Sequence, residues 1–132
     1  RREILLAAKK VIGTKYKYAG TDSTGFDCSG FTQYAYHSAG IEIPHNANMQ
    51  SKLGDTIDIS DAQAGDLIFF GSGTRAYHAG IIYSNNDENI ELVHCTSRGV
   101  RLQTSDDENT KYWLKHMLRI QRIIPLQQSN KD

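Results

Sequence analysis

The residue best suited to nucleophilic chemistry is Cys28, in the segment Asp27-Cys28-Ser29-Gly30-Phe31. A glycine-containing loop at 20–26 precedes it, and the pattern predicts a helix over Phe31–Ala39 that ends at Gly40. A thiol at the start of a helix lies near free backbone N–H groups and the positive end of the helix dipole. That environment favours the thiolate, which is the form that attacks carbonyl carbons. The sequence therefore predicts a nucleophilic cysteine.

Two histidines are placed where they can serve this thiol. A hairpin is predicted from two strands, Tyr77–Tyr83 and Ile90–Cys95. If Ile82 faces Ile90, then His78 faces His94, because facing residues of an antiparallel pair keep a constant sum of residue numbers. Directly opposed side chains have Cβ atoms about 5 Å apart, so the two imidazoles would touch on one face of the sheet. A register slip of one residue would separate them.

These positions predict a catalytic triad if the cysteine helix packs on the same face of the sheet. His78 would take the thiol proton as general base and later protonate the leaving amine. His94 would hold the His78 ring and its tautomer, the role that an acidic or amide residue has in other triads.

The remaining pattern indicates helices first and strands later. Apolar residues at helical spacing predict a helix over 4–12, closed by Gly13, and Pro44–Leu53 reads as irregular or a short helix. Further strands are predicted at Leu67–Phe70, Val100–Thr104 and Lys115–Ile124. This order is typical of an α+β fold with an antiparallel sheet. We expect a single domain over 1–126 and a frayed tail at 127–132.

Composition excludes several classes of partner. The chain has 132 residues, and its 15 basic and 15 acidic residues give a formal net charge of zero. This balance gives no support for a nucleic acid or an anionic membrane surface as partner. No apolar run approaches the roughly 20 residues that a membrane-spanning helix needs. The start, Arg1-Arg2-Glu3, has no Met and no signal-like stretch after it, which indicates a mature or excised segment.

Other interpretations of the same residues remain open. Free cysteines are usually buried as small hydrophobic residues, and Cys95 fits that interpretation better than Cys28 does. Two cysteines are also too few for a disulfide framework. A zinc site from Cys28, His78, His94 and Cys95 is conceivable by ligand type, but no ligand pair has the usual close spacing. No metal or other cofactor is therefore predicted.

Several motifs, in order along the chain, resemble the NlpC family of bacterial cell-wall cysteine peptidases. Besides the segment around Cys28, the motifs are Tyr16-Lys17-Tyr18-Ala19-Gly20, Gly65-Asp66-Leu67-Ile68-Phe69-Phe70, His78-Ala79-Gly80-Ile81 and Val93-His94. The resemblance implies a papain-like α+β fold. It also implies hydrolysis of amide bonds in peptidoglycan stem peptides, typically between D-glutamate and a diamino acid.

The resemblance also implies roles for individual residues. Cys28, His78 and His94 match the nucleophile, the base and the third polar residue of the family. Tyr16 matches a tyrosine whose hydroxyl lies near the nucleophile and helps the oxyanion site. The chain departs from the family at Ala19, where a first glycine is usual.

Substrate-binding candidates follow from the same comparison of motifs. Asp27 and Ser29 match positions that bind the free amine of the stem peptide in some members, although both are also good helix caps. His45 lies in the segment Pro44–Gln50, which replaces an Arg-Thr-Ser-like segment that commonly borders the cleft. Tyr18 joins these residues as a candidate.

The implied partners are peptidoglycan stem peptides or muropeptides, and the implied location is extracytoplasmic. Two other classes of function stay open: a non-catalytic module that binds peptidoglycan, and another thiol-dependent amidase or acyltransferase on the same fold. Intact Cys28, His78 and His94 argue against the first. The acceptor, water or another nucleophile, would distinguish the second.

Overall fold

The structure of the protein is a computed structural model, which describes residues 2–123. The predictions for Ile124 and for the tail at 127–132 lie outside the described residues. The fold is α+β and papain-like, as predicted, with helices packed against an antiparallel sheet.

The helices are α1 Arg2–Lys10, α2 Cys28–His37, α3 Ala47–Gln50 and α4 Glu108–Leu114. Two short strands, β1 Thr21–Asp22 and β2 Gly25–Phe26, form a small hairpin. The main sheet contains β3 Asp55–Ile57, β4 Leu67–Ser72, β5 Arg75–Asn85, β6 Ile90–Thr96, β7 Gly99–Thr104 and β8 Met117–Arg122. Its spatial order is β3-β8-β4-β5-β6-β7, and every neighbouring pair is antiparallel.

Some boundaries differ from the prediction for local reasons. Helix α2 begins at Cys28 rather than Phe31, because the Asp27 side chain caps it by accepting from the Gly30 N–H at 2.7 Å. Helix α4 lies in a stretch for which the sequence analysis predicted no element, and the short strands β1, β2 and β3 were also missed.

The two faces of the sheet carry separate hydrophobic clusters. One cluster joins α1 and α2 to the sheet through residues such as Phe31, Ala79 and Val93. The other includes Ile82 and Leu92. Because side chains alternate along a strand, His78 and His94 lie on the face of this second cluster.

The predicted register of the hairpin is wrong, although its consequence survives. Ile82 pairs with Leu92 rather than Ile90, and His94 pairs with Gly80, because the two strands stay paired as far as Asn85 and Ile90 and the turn is therefore shorter than predicted. A bulge between Ile82 and Ser84 then offsets the register by one residue. The shift is two residues, so His78 and His94 keep the same face but are diagonal neighbours. Glycine at position 80 suits this arrangement, since a Cβ there would stand 3.1 Å from the His94 Cβ.

Candidate active site

Cys28 is held at the first turn of α2 by close packing of the preceding loop. A Cβ at Gly30 would stand 1.9 Å from the Gly20 carbonyl oxygen, so only glycine allows this approach. The Asp27 N–H donates to the same carbonyl at 3.1 Å. In this loop Ala19 adopts a positive φ of 59°, which explains why glycine suits that position.

The sulfur of Cys28 is half-buried, and its thiol donates to the carbonyl oxygen of Tyr77 at 3.8 Å. Burial raises the pKa of the thiol, and the Asp27 carboxylate adds to this, while backbone N–H groups, foremost that of Ala79, lower it. The net effect is a raised pKa. The resting protein therefore carries a thiol, whereas the sequence analysis expected the helix start to favour the thiolate.

The two histidines form a buried hydrogen-bonded chain with Gln103. His78 Nε2 lies 2.8 Å from His94 Nδ1, and His94 Nε2 lies 2.7 Å from Gln103 Oε1. The exposed fractions of the three side chains are 5%, 0% and 4%. Burial lowers the pKa of both imidazoles, and the neighbouring His94 lowers that of His78 further. Both rings are neutral at neutral pH.

Trp113, on helix α4, stacks on the His78 ring with centroids 4.0 Å apart and planes 18° apart. It also meets the His94 ring edge-on at 6.0 Å. Sequence reasoning missed both Trp113 and Gln103. A usable signal for α4 was present, because Asp107 caps the helix and Thr110, Trp113 and Leu114 follow at helical spacing.

Cys28 and His78 come from opposite sides of the sheet but line the same cleft. The cleft has a volume of about 650 Å³, and its lining includes Cys28, His78 and Trp113. Helix α2 packs on the face opposite the histidines, so the expected common face is wrong. Among residues 2–123, no hydrogen bond joins the Cys28 thiol to the His78 ring. Such contacts are often loose without substrate.

Two of the predicted tyrosines line the cleft with different exposure. Tyr16 is 42% exposed and forms an isolated β-bridge with Phe26, which places it beside the loop before Cys28. Burial, and then the nearby Asp27 and Cys28, raise the pKa of Tyr16, so its hydroxyl stays protonated and can donate. Tyr18 is 87% exposed at the rim.

The other substrate-binding candidates are already engaged within the protein. His45 Nε2 lies 2.8 Å and 3.0 Å from the two Asp27 carboxylate oxygens, while one of those oxygens also caps α2. Ser29 is 6% exposed but still lines the cleft. Asp27 therefore acts as a helix cap and as the partner of His45.

The cleft is more positive than the chain as a whole. Its lining contains Arg75 and Arg98, both exposed, against one carboxylate, Asp27, which His45 contacts. Neither guanidinium forms an ion pair within residues 2–123. Free arginines on a cleft wall suit a ligand that carries carboxylates.

Across the same range of residues, no group of three His, Cys, Asp or Glu side chains is placed to hold a metal ion. No helix between residues 2 and 123 is long and apolar enough to cross a membrane.

Helices packed on an antiparallel sheet, with a cysteine at a helix start and a buried histidine chain across the cleft, define the papain-like class. The model of the NlpC/P60 family matches residues 13–122. The chain belongs to the NlpC/P60 family. Its relatives include proteins named as endopeptidases and one named as a peptidoglycan hydrolase.

Among curated proteins, the chain is 32% identical over 120 residues to the probable endopeptidase p60 of Listeria monocytogenes. It is also 32% identical over 114 residues to murein DD-endopeptidase MepS/murein LD-carboxypeptidase of Escherichia coli. These matches cover 91% and 85% of this chain, but only 23% of p60 and 57% of MepS.

Solved structures agree on the fold. The NlpC/p60 domain of the peptidoglycan hydrolase SagA matches with a TM-score of 0.76 and 30% identity, over 92% of this chain and 97% of that one. RipD of Mycobacterium tuberculosis, described as a non-catalytic NlpC/p60 domain protein adapted to binding peptidoglycan, matches with a TM-score of 0.75 over 93% of this chain and 96% of that one. At 20% identity, RipD supports the fold alone.

Proposed function

We propose that the chain is a cysteine peptidase that hydrolyses an amide bond in peptidoglycan stem peptides, with Cys28 as nucleophile and His78 as base. The observation that carries the proposal is the buried His78–His94–Gln103 chain, whose first member, His78, lines the same cleft as a cysteine at a helix start. A purely structural histidine would not need to line a cleft with an accessible thiol.

The first step follows from the neutral state of both partners. His94 engages Nε2 of His78, so Nδ1 is the nitrogen free to take the thiol proton. The thiol turns from the Tyr77 carbonyl to this nitrogen, and the sulfur attacks the substrate carbonyl carbon as its proton leaves. Stacked Trp113 stabilises the imidazolium that forms, because the face of an indole attracts a cation.

The oxyanion of the tetrahedral intermediate needs donors on the side of the helix start. The Cys28 N–H, in the first turn of α2, and the protonated Tyr16 hydroxyl are the proposed donors. The imidazolium of His78 then returns its proton to the leaving amine, which gives a thioester on Cys28. Water activated by His78 hydrolyses this thioester and releases the thiol.

The charge of the cleft supports a carboxylate-bearing peptide as the substrate. A D-glutamate linked through its γ-carboxyl keeps a free α-carboxylate next to the scissile bond, and the guanidinium groups of Arg75 and Arg98 form no ion pair within residues 2–123. Asp27, with Ser29, His45 and Tyr18 beside it, is the proposed binding region for the amine end of the peptide. Because this substrate is part of the cell envelope, we also propose an extracytoplasmic location.

Defined peptides with mass spectrometry test this proposal. The wild type and a Cys28→Ala variant would be incubated with a D-glutamyl–diaminopimelate stem peptide and with a cross-linked D-alanyl–diaminopimelate dimer. We expect the wild type alone to cut the D-glutamyl bond. Cleavage of the dimer only would retain the assignment as a peptidase but would assign the D-alanyl–diaminopimelate bond instead.

The same experiment separates the other two classes of function. No cleavage of either peptide, with retained binding to both, would favour a non-catalytic peptidoglycan-binding domain and overturn the proposed chemistry. Transfer of the acyl group to an added amine in place of water would favour an acyltransferase.

A further inference from the structure

Gln103 determines which atom donates in each hydrogen bond of the buried His78–His94–Gln103 series. We propose that Gln103 is a positioning residue that fixes the tautomers of both histidines, so that His78 presents an unprotonated Nδ1 to Cys28. The side chain of Gln103 does not line the cleft, and its role acts through His94.

The orientation of the Gln103 amide is set by a carboxylate. Its Nε2 donates to Asp107 Oδ1 at 3.4 Å, and a carboxylate only accepts, so the amide oxygen is turned toward His94. Asp107 is itself held in place, because the same oxygen caps α4 by accepting from the Asn109 N–H at 2.8 Å. One helix therefore positions both this carboxylate and Trp113.

The tautomers follow step by step from that orientation. The Gln103 oxygen can only accept, so His94 carries its proton on Nε2 and leaves Nδ1 as an acceptor. His78 must then donate from Nε2 to His94 Nδ1 across the 2.8 Å contact. A neutral imidazole has one N–H, so Nδ1 of His78 holds a free lone pair.

Without the Gln103 oxygen, the hydrogen bond between the two rings can run equally well in the opposite direction. His94 would donate from Nδ1 to His78 Nε2, and His78 would carry its proton on Nδ1. In that tautomer His78 faces Cys28 with a donor and cannot take the thiol proton. Loss of Gln103 therefore changes the base itself, while the contact between the rings remains.

The reasoning requires neutral rings, which the surroundings favour. The charged groups around the chain are Arg101, which faces His94 across β6 and β7, and Asp107, which Gln103 separates from the imidazole. Burial, the largest effect, and the cationic Arg101 oppose protonation of His94, and together they outweigh the hydrogen bond with Gln103, which raises its pKa. The Cys28 thiol is uncharged at rest because its pKa is raised.

The test is ¹⁵N NMR of histidine-labelled protein at neutral pH, combined with kinetics on the stem peptide. Gln103→Met removes the acceptor at similar volume, and Gln103→Glu keeps an acceptor. Gln121→Met is the matched control, since Gln121 is also a buried sheet glutamine, 2% exposed, but bonds to Thr56 and Leu53 instead.

We expect the wild type, Gln103→Glu and Gln121→Met to show protonated Nε2 on both rings. Gln103→Met should show protonated Nδ1 on His78 in a substantial fraction of molecules. Its kcat should fall in proportion to the fraction of molecules that lose the competent tautomer, by roughly twofold or more, with KM nearly unchanged. Gln103→Glu should recover most of this loss.

Unchanged tautomers in Gln103→Met, or a loss of kcat no larger than that of Gln121→Met, would overturn the inference. The catalytic consequence rests on the proposed function, but the NMR result does not. If the wild type shows protonated Nε2 on both rings but cuts no peptide, the proposed function is rejected while the assignment of Gln103 stands.

Discussion

Cys28 stands half-exposed at the start of α2, whereas His78 and His94 are buried in the sheet at 5% and 0% exposure. The cysteine region, defined as 16–30 together with His45, is held by neighbours that are mostly close in sequence. The histidine region, defined as His78, His94, Gln103 and Trp113, draws on three strands and a helix.

The difference teaches how the two regions divide the chemistry. The histidine region is preorganised, since three buried side chains satisfy one another and an indole covers the base. In the cysteine region the thiol of Cys28 donates to the Tyr77 carbonyl oxygen, and in the proposed mechanism it must turn toward His78. We therefore expect substrate binding to reposition the proposed nucleophile rather than the proposed base.

The largest expected effect comes from breaking the cysteine region. Cys28→Ala should lower kcat/KM for the stem peptide by roughly 10⁴-fold or more, because alanine cannot form the thioester and the other thiol, Cys95, is only 1% exposed. Cys95→Ala is the control: Cys95 is buried and bonds to the Phe26 carbonyl, so this variant should lose stability but keep turnover. Circular dichroism checks the fold of both.

Alkylation sharpens this contrast. Iodoacetamide should label Cys28 before Cys95, at a rate that rises with pH, because burial raises the pKa of both thiols and takes that of Cys95 to about 12. Peptide mapping measures both rates. Equal labelling, or substantial turnover by Cys28→Ala, would reject Cys28 as the nucleophile.

Substitutions in the histidine region should lower kcat to different degrees. His78→Ala should cost about 10²–10⁴-fold in kcat, since proton transfer stops. His94→Ala should cost less, and His94→Asn or His94→Gln should retain more activity than His94→Ala, because an amide oxygen can still accept from His78. Steady-state kinetics with one peptide compares all four. Equal losses for alanine and both amides would count against an orienting role.

Stability should depend on pH through the histidine region. Both rings have folded-state pKa values below the ordinary value, so the unfolded chain binds protons more readily. This contribution to stability is therefore almost fully present above the ordinary histidine pKa of about 6.5. It declines at lower pH by at most about 1.4 kcal/mol per pH unit for each ring, until the pH reaches the folded-state pKa of that ring. Urea unfolding between pH 7.5 and 5 measures the slope.

The controls for that slope use one buried and one exposed histidine. His78→Gln should flatten it, whereas His37→Gln, at an exposed residue of α2, should leave it unchanged. An identical slope in all three proteins would show that the buried rings do not control it.

A smaller effect is expected from the two arginines that line the cleft. Arg75→Gln or Arg98→Gln should lower kcat/KM about tenfold for a peptide with D-glutamate, through loss of a charge-assisted hydrogen bond. Neither should matter for the D-isoglutamine analogue, whose α-carboxylate is amidated. Lys10→Gln, on α1 outside the cleft lining, controls for net charge. Equal cleavage of both peptides by the wild type would refute this selectivity.

The smallest effect is expected at Asp27. Its carboxylate already serves the helix and His45, so it has little left for a substrate amine. Acetylation of the N-terminus of L-Ala-γ-D-Glu-diaminopimelate should lower kcat/KM by only a few-fold, in keeping with about 0–1 kcal/mol for an exposed pair. Kinetics with the free and acetylated peptides measures it. A loss of a hundred-fold, absent in Asp27→Asn, would assign Asp27 as the main amine site.

The sequence by itself determined the cysteine region, because the signals there are local. Asp27 as a cap, the glycines at 20 and 30, and a helix after Cys28 all depend on contacts within a short stretch of chain. It also placed His78 and His94 on one face, since a period of two survives the error of two residues in the register.

Only the tertiary structure decided how the histidine region is completed. The turn after Asn85 and the bulge in β5 together set the true register. Helix α4 brought Trp113 to the two histidine rings and Asp107 to the Gln103 amide, all of which lie on other elements. It also placed α2 and the histidines on opposite faces of the sheet. These contacts join residues that are distant in sequence, and their geometry depends on packing and strand order, which no local pattern encodes.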